Sequence, residues 1–230
     1  MKLEKDKRWF KLPILGNFND YSYSTHLIIF SSYITINALI LTLSTNPMVH
    51  KFIADIPMFF ILLYLFRKIL INDIKIFKDN LKKYIPFTLF GFVLIFVLMF
   101  FSSALEFNID GVSMGASPNQ EIAASAFSQM PLLGAFAIII IAPLLEELIF
   151  RRSVKILVKN KFLYFFLSAF LFGMAHLLIG FTFPASFIFI IPYFIGGLGW
   201  AIMYHKSNNI WCAIIPHLLS NLIAAIQMLN

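Results

Sequence analysis

Residues 131–152 read PLLGAFAIIIIAPLLEELIFRR. From Leu132 to Leu145 every residue is apolar or small, and then two carboxylates, Glu146 and Glu147, arrive just before Arg151 and Arg152. About 20 mostly apolar residues suffice to cross a hydrocarbon core of roughly 30 Å. A charged side chain at that depth costs about 2.5–3.5 kcal/mol on insertion scales, so each one requires a reason. This one stretch therefore carries a membrane helix and a chemistry that lipid alone would not tolerate.

The rest of the chain agrees with the first half of that reading. Of 230 residues, 60% are hydrophobic, 13% are charged and 28 are Phe. Soluble domains average about 45–50% apolar and roughly 25% charged. At this length roughly 30% of the unfolded chain's surface stays exposed after folding, so water could not be the solvent for this excess. A secreted soluble domain, a nucleic-acid binder and a disordered chain are excluded. The net charge of +7 is expected to report where the loops lie, with no nucleic-acid partner. A single cysteine, Cys212, rules out an intramolecular disulfide and a Cys-based metal cluster. The expectation is an all-α, multi-pass transmembrane helical bundle, one integral membrane domain over 1–230, in the cell membrane and in contact with its lipids.

Seven spans are expected, at about 26–45, 52–66, 86–104, from Pro131 onward, 162–180, 183–204 and 209–228. An eighth, re-entrant piece within the polar loop 105–130 is the alternative. The N-terminal arm does not read as a cleaved signal peptide, since LPILGNFNDYSYS separates its charges from the first apolar run. Basic residues test the count. With seven crossings and a cytoplasmic N-terminus, all of the 18 Lys and Arg except Lys51 fall on the inner side. The loop 105–130 holds Glu106, Asp110 and Glu121 and no cation. The segment 67–83, with six basic residues, reads either as an interfacial helix on an anionic leaflet or as a topology determinant only.

Ionisable groups inside the apolar spans gather in the last part of the chain. Glu147 and Arg151 are four apart, so on a helix they share a face and can pair. Glu146 points about 100° away and is expected to face a different neighbour. Phe172 and His176 stand in the fifth span; His217 and Asn221, again four apart, present an imidazole and an amide from one face of the seventh. Taken singly, each has a bland account: a surface ion pair, a packing histidine, an interhelical amide. Jointly they need several coincidences within three spans, while the first 130 residues offer only His26, His50 and Asp55 near span ends. A carboxylate, two imidazoles and an amide are the parts of a hydrolytic site: a base for water, a proton shuttle and donors for an oxyanion. Glu146, His176 and His217 also form a possible zinc set. The groups share one depth only if the fourth helix continues past Arg151 inside the protein and the fifth enters later than Lys161.

At these residues the sequence resembles the CAAX prenyl protease type II and bacteriocin-processing (CPBP, Abi) family of intramembrane proteases. Its motifs E-E-x-x-x-R, F-x-x-x-H and H-x-x-x-N read here as Glu146-Glu147 with Arg151, Phe172 with His176, and His217 with Asn221. They occur in order within a motif region of about 131–225. The resemblance implies that Glu146 is the general base, with His176 polarising the water beside it. It implies further that His217 and Asn221 hold the oxyanion, that Glu147 and Arg151 fix the fourth helix, and that Phe172 packs beside the site. The substrate it implies is a peptide or membrane-anchored protein, with roles such as peptide or bacteriocin maturation or self-immunity. Spacing assigns no countercharge to Glu146, which suits a group that takes and gives protons near neutrality.

No cofactor is expected. The helix signature H-E-x-x-H is absent, and His217 beside Asn221 reads more as a donor pair than as a ligand backed by a carboxylate. Zinc is the alternative mechanism. Gly111, Ser113 and Gly115 match G-x-S-x-G, but in a polar loop without the strand that motif requires. Gly196, Gly197 and Gly199 are expected to allow close helix packing. Two other classes compete with an enzyme: a non-catalytic bacteriocin-immunity or scaffold protein using the same polar cavity, and a small transporter with a proton relay. A transporter would favour matching broken halves, which the sequence lacks.

Overall fold

A computed structural model describes residues 23–43, 51–106, 118–177 and 189–227. His50, the basic N-terminal arm, Asp110 and the Gly111–Ser113–Gly115 match lie outside the described residues. Within them the chain forms eight helices and no strand. They are α1 (Tyr23–Leu43), α2 (Ile56–Asp79, entered through a π turn Lys51–Asp55), α3 (Leu81–Glu106) and α4 (Pro118–Gln129). There follow α5 (Pro131–Leu157), α6 (Lys161–Leu177), α7 (Ile190–Ser207) and α8 (Trp211–Gln227).

Helices are what lipid demands, because each backbone donor must find its acceptor within its own segment. Three are long and apolar enough to cross a membrane by length and composition: Tyr23–Ile40, Leu81–Ser102 and Pro131–Leu157. The described parts of the seven expected apolar segments fall on α1, α2, α3, α5, α6, α7 and α8, while 44–45, 178–180, 183–188 and 228 lie outside the described residues; a helix, α4, lies within the polar loop 105–130. α5 is the axis of the bundle. Its residues Leu145, Leu148, Ile149, Phe150 and Arg151 are buried among side chains of α1, α2, α6, α7 and α8. α3 lies at the edge, with Phe90, Phe100 and Phe101 exposed.

α2 shows why 67–83 is not a separate interfacial helix. Its buried stripe, Met58, Leu62, Phe66, Leu70, Asp73 and Phe77, advances by three or four residues without interruption. The helix therefore runs straight through 67–79, with Arg67, Lys68, Lys75 and Lys78 on its exposed side. The break falls instead at Asn80, which ends α2 and returns its side-chain amide to Ile76 O at 2.9 Å. The remaining basic residues, Lys82 and Lys83, open α3.

Small residues bring the site-bearing helices together. A Cβ on Gly197 would sit 3.0 Å from the Ala169 Cα, so α7 meets α6 backbone to backbone. A Cβ on Gly199 would collide with Ile95 of α3, and one on Gly196 with Met99. The glycines of α7 thus serve the close packing expected of them. His26 of α1, fully buried, ties that helix to α5 through Ser153 Oγ at 3.1 Å and lies tilted against Phe66, ring centres 5.6 Å apart.

Candidate active site

α5 is not a uniform helix. It runs as π turns over Ala137–Ile141 and Glu147–Ser153, with an α-helical segment, Ala142–Glu146, between them. Pro143 lies in that segment, and a proline inside a helix removes one backbone donor and crowds the preceding turn. Such π turns recur at functional sites. Here the second one begins at the paired carboxylates.

Glu147 and Arg151 are both fully buried, with Nε 3.1 Å from Oε2, so the expected pair forms inside the protein. The helix continues past Arg151 to Leu157, which meets the first condition for the motif groups to share a depth. The guanidinium also lies 4.3 Å from the centre of the Phe172 ring and 5.4 Å from that of Trp200. Both aromatic faces are negative and favour a cation.

His217, buried on α8, stands between the two glutamates. Its Nδ1 is 2.9 Å from Glu147 Oε1, and its Nε2 is 3.5 Å from Glu146 Oε2. The two carboxylates were expected to serve different neighbours. They meet the same one, because the nitrogens on opposite sides of an imidazole bridge side chains that diverge along a helix. Glu146 therefore has an imidazole as its potential countercharge, which spacing within α5 could not reveal. A Glu147 carboxylate paired with Arg151 can only accept hydrogen bonds, so the Nδ1 proton belongs to His217 and is donated to Glu147. Nε2 is left facing Glu146.

The Phe172 ring joins the motifs. Its centre lies 4.3 Å from that of His176, 5.7 Å from that of His217 and 5.6 Å from that of Trp200. His176 is half-buried; its Nδ1 donates to Phe172 O at 2.9 Å and its ring stacks on Tyr193 at 4.4 Å. Asn221 donates its side-chain amide to Ile138 O of α5 at 2.8 Å. The structure thus brings Glu146, Glu147, Arg151, Phe172 and His217 into one cluster, sets His176 against its aromatic member, and ties Asn221 to the backbone one turn along α8.

Sequence reasoning missed two residues of this site. Trp200 stacks flat on His217, with ring centres 3.9 Å apart and planes inclined by 14°. Tyr193 stacks on His176. They are seven apart, two turns of α7, so both reach the histidine side from one face of that helix. That spacing was visible in the sequence, although aromatics seven apart are common in any apolar helix.

Zinc chemistry can be tested against this arrangement. His217 does have a carboxylate, Glu147, on its Nδ1, contrary to the reading that it lacks one; a carboxylate in that place is usual behind a zinc-bound imidazole. Yet among the described residues no three His, Cys, Asp or Glu side chains gather into a set that could hold a metal. Glu146, His176 and His217 do not make a ready ligand sphere as placed.

Comparison with known proteins points to the same part of the chain. The model of a family described as type II CAAX prenyl endopeptidase Rce1-like matches residues 128–223, which contain every motif of the site. A protein of Bacillus subtilis (strain 168), provisionally named as the membrane peptidase YdiL, is 25% identical over 156 residues, covering 66% of this chain and 60% of that protein. The membrane-embedded CAAX protease MroQ of Staphylococcus aureus (strain USA300) is 30% identical over 163 residues, covering 66% of this chain and 62% of that one. An uncharacterized protein of Mycoplasma capricolum is 30% identical over 165 residues, covering 67% of this chain and 47% of its own length. The chain accordingly spans about half to three-fifths of the length of the curated relatives it matches. No solved structure matches. With an all-helical, lipid-compatible fold and the three motifs gathered on α5, α6 and α8, this is a membrane protein whose residues 128–223 are similar to the Rce1-like type II CAAX prenyl endopeptidase family.

Proposed function

We propose that this protein is an intramembrane endopeptidase that cleaves a peptide or membrane-anchored protein with water activated by Glu146. The observation that carries the reading is the His217 ring held between Glu146 and the buried Glu147–Arg151 pair. A structural ion pair needs one carboxylate. Here a second carboxylate faces the remaining nitrogen of an imidazole whose tautomer the first one sets, which is the arrangement of a proton-transfer pair.

In this mechanism Glu146 takes a proton from water as the water oxygen attacks the scissile carbonyl carbon. His176 polarises that water. The tetrahedral oxyanion is stabilised by His217 in its doubly protonated form, with Nδ1–H held by Glu147 and Nε2–H turned to the oxyanion. Glu146 then delivers its proton to the leaving nitrogen as the C–N bond breaks. No metal takes part in these steps. The kinship with proteins named as a membrane peptidase and a CAAX protease supports a peptide substrate, and maturation of peptide signals or bacteriocins, or self-immunity, is the role we assign. We further propose a cell-membrane location with seven crossings and a cytoplasmic N-terminus, on the strength of the Lys and Arg placement.

The test is cleavage of candidate peptides, prenylated and unprenylated, by membranes carrying the wild-type chain or Glu146→Gln, His176→Ala or His217→Ala. Loss of a general base or its partner should slow cleavage by about 10²–10⁴-fold. Full activity in all three variants ends the protease reading. Partner binding that survives Glu146→Gln without any cleavage by wild type favours an immunity or scaffold protein. Activity lost to a chelator and restored by zinc would refute the metal-free mechanism.

A further inference from the structure

Asn221 reaches across from α8 to a backbone carbonyl, and α5 itself explains why that carbonyl is open to it. Over Ala137–Ile141 the helix runs in the π register, and the Ala142 N–H closes on Ala137 O, five residues back. The next donor in that register is residue 143. It is a proline, with no N–H to give. Ile138 O therefore loses the backbone donor that the register assigns to it. Ile138 and Pro143 are both buried, and a buried carbonyl left without its donor is costly. The Asn221 amide fills the gap at 2.8 Å. Three residues beyond Pro143 stands Glu146, so the path of the backbone over 138–143 sets where that carboxylate projects.

We infer that Asn221 is a positioning residue: its amide replaces the N–H that Pro143 lacks, pins the first π turn of α5 to α8, and so holds Glu146 and His217 at working distance. His217 lies four residues before Asn221 on the same helix face, so one short stretch of α8 grips α5 twice, at Ile138 O and at the glutamates. The effect on rate rests on the hydrolytic reading above; the effect on stability does not. The resemblance pairs Asn221 with His217 at the oxyanion. In our assignment the oxyanion rests on His217, and Asn221 acts through the backbone.

A double-mutant cycle between Asn221 and Pro143 tests this. The full chain is reconstituted in phospholipid vesicles, and two quantities are read: thermal unfolding, and cleavage of a quenched fluorogenic CAAX-type peptide. Asn221→Ala should lower Tm by a few degrees. It should lower kcat by roughly 10- to 100-fold with little change in KM, as expected for a misplaced catalytic group. Pro143→Ala restores the missing N–H. The double variant should therefore recover Tm and kcat to within about threefold of Pro143→Ala alone.

An oxyanion donor behaves differently. Asn221→Ala would then cost about 10²–10³-fold in kcat in either background and leave Tm unmoved. That result overturns the proposal, as does an Asn221→Ala chain indistinguishable from wild type. Pro143→Leu repeats the cycle if the alanine variant does not accumulate. The thermal arm needs no substrate. A chain that never cleaves the peptide yet shows the stability rescue defeats the protease reading and leaves this one standing.

Discussion

Arg151 shows how a single residue decides between two readings of the same motif. A Glu-Arg pair at the mouth of a membrane helix is worth little when solvated, typically under about 1 kcal/mol. Buried, the same pair is costly to break, because the remaining charge is left without compensation, at about 3–5 kcal/mol. The structure places both side chains out of solvent, with Arg151 lying over the Phe172 ring while its Nε faces Glu147. Arg151→Ala should therefore destabilise the protein by about 3–5 kcal/mol in thermal or denaturant unfolding in detergent micelles. Arg151→Lys should recover only part of this, since an ammonium cannot lie flat on an aromatic face while it meets the carboxylate. A loss below about 1 kcal/mol for Arg151→Ala would mean that the pair behaves as a solvated one.

At the scale of elements, the end of α2 positions α8, the helix that carries His217. Asp73 Oδ2 accepts the Ile210 N–H at 3.0 Å, Asp73 O accepts from Asn209 Nδ2 at 2.7 Å, and the Trp211 indole N–H reaches Leu70 O at 2.9 Å. A carboxylate from one helix thus caps the N-terminus of another, where exposed N–H groups and the helix dipole favour negative charge. The turn before it needs a left-handed residue, and Asn208 supplies one at φ 50°. Asp73→Ala should cost about 1–3 kcal/mol through the orphaned Ile210 N–H. Burial raises the Asp73 pKa more than the Ile210 N–H and the Arg152 charge hold it down. The sign follows directly. With the folded value above the unfolded one, the folded chain holds the proton in the window between them, so this contribution to stability falls as pH rises through that window. Asp73→Asn should lack this slope when Tm is followed against pH. An identical pH profile in the two chains would remove Asp73 as its source.

For the whole molecule, the exposed apolar surface and the charge distribution describe one object. Phe90, Phe100 and Phe101 of α3 and Phe60, Ile61 and Tyr64 of α2 face outward, and beyond Tyr64 the same side of α2 turns basic at Arg67, Lys68, Lys75 and Lys78. That change from apolar to cationic along one helix is what a membrane boundary imposes. The seven crossings we propose would put the two ends of the chain on opposite sides of the membrane. Epitope tags at residues 1 and 230 should then be digested by protease added to opposite faces of sealed vesicles. Digestion of both tags from one face would make α4 a further crossing.

The helical class, the lipid solvent and the membership of the motif residues were all readable from sequence. Each depends on residue type and on separations short enough for helical geometry to fix, as with Glu147 and Arg151 four apart. Tertiary structure decided which groups share a neighbour. That His217 would fill the space between Glu146 and Glu147, that Trp200 would lie on its other face, and that Asn221 would answer a proline seventy-eight positions before it are matters of packing between helices distant in the chain. Periodicity tells which way a side chain leaves its own helix. What it meets there is set by how closely the glycines of α7 let its neighbours approach and by where α5 departs from a regular helix, and neither is a local property of sequence.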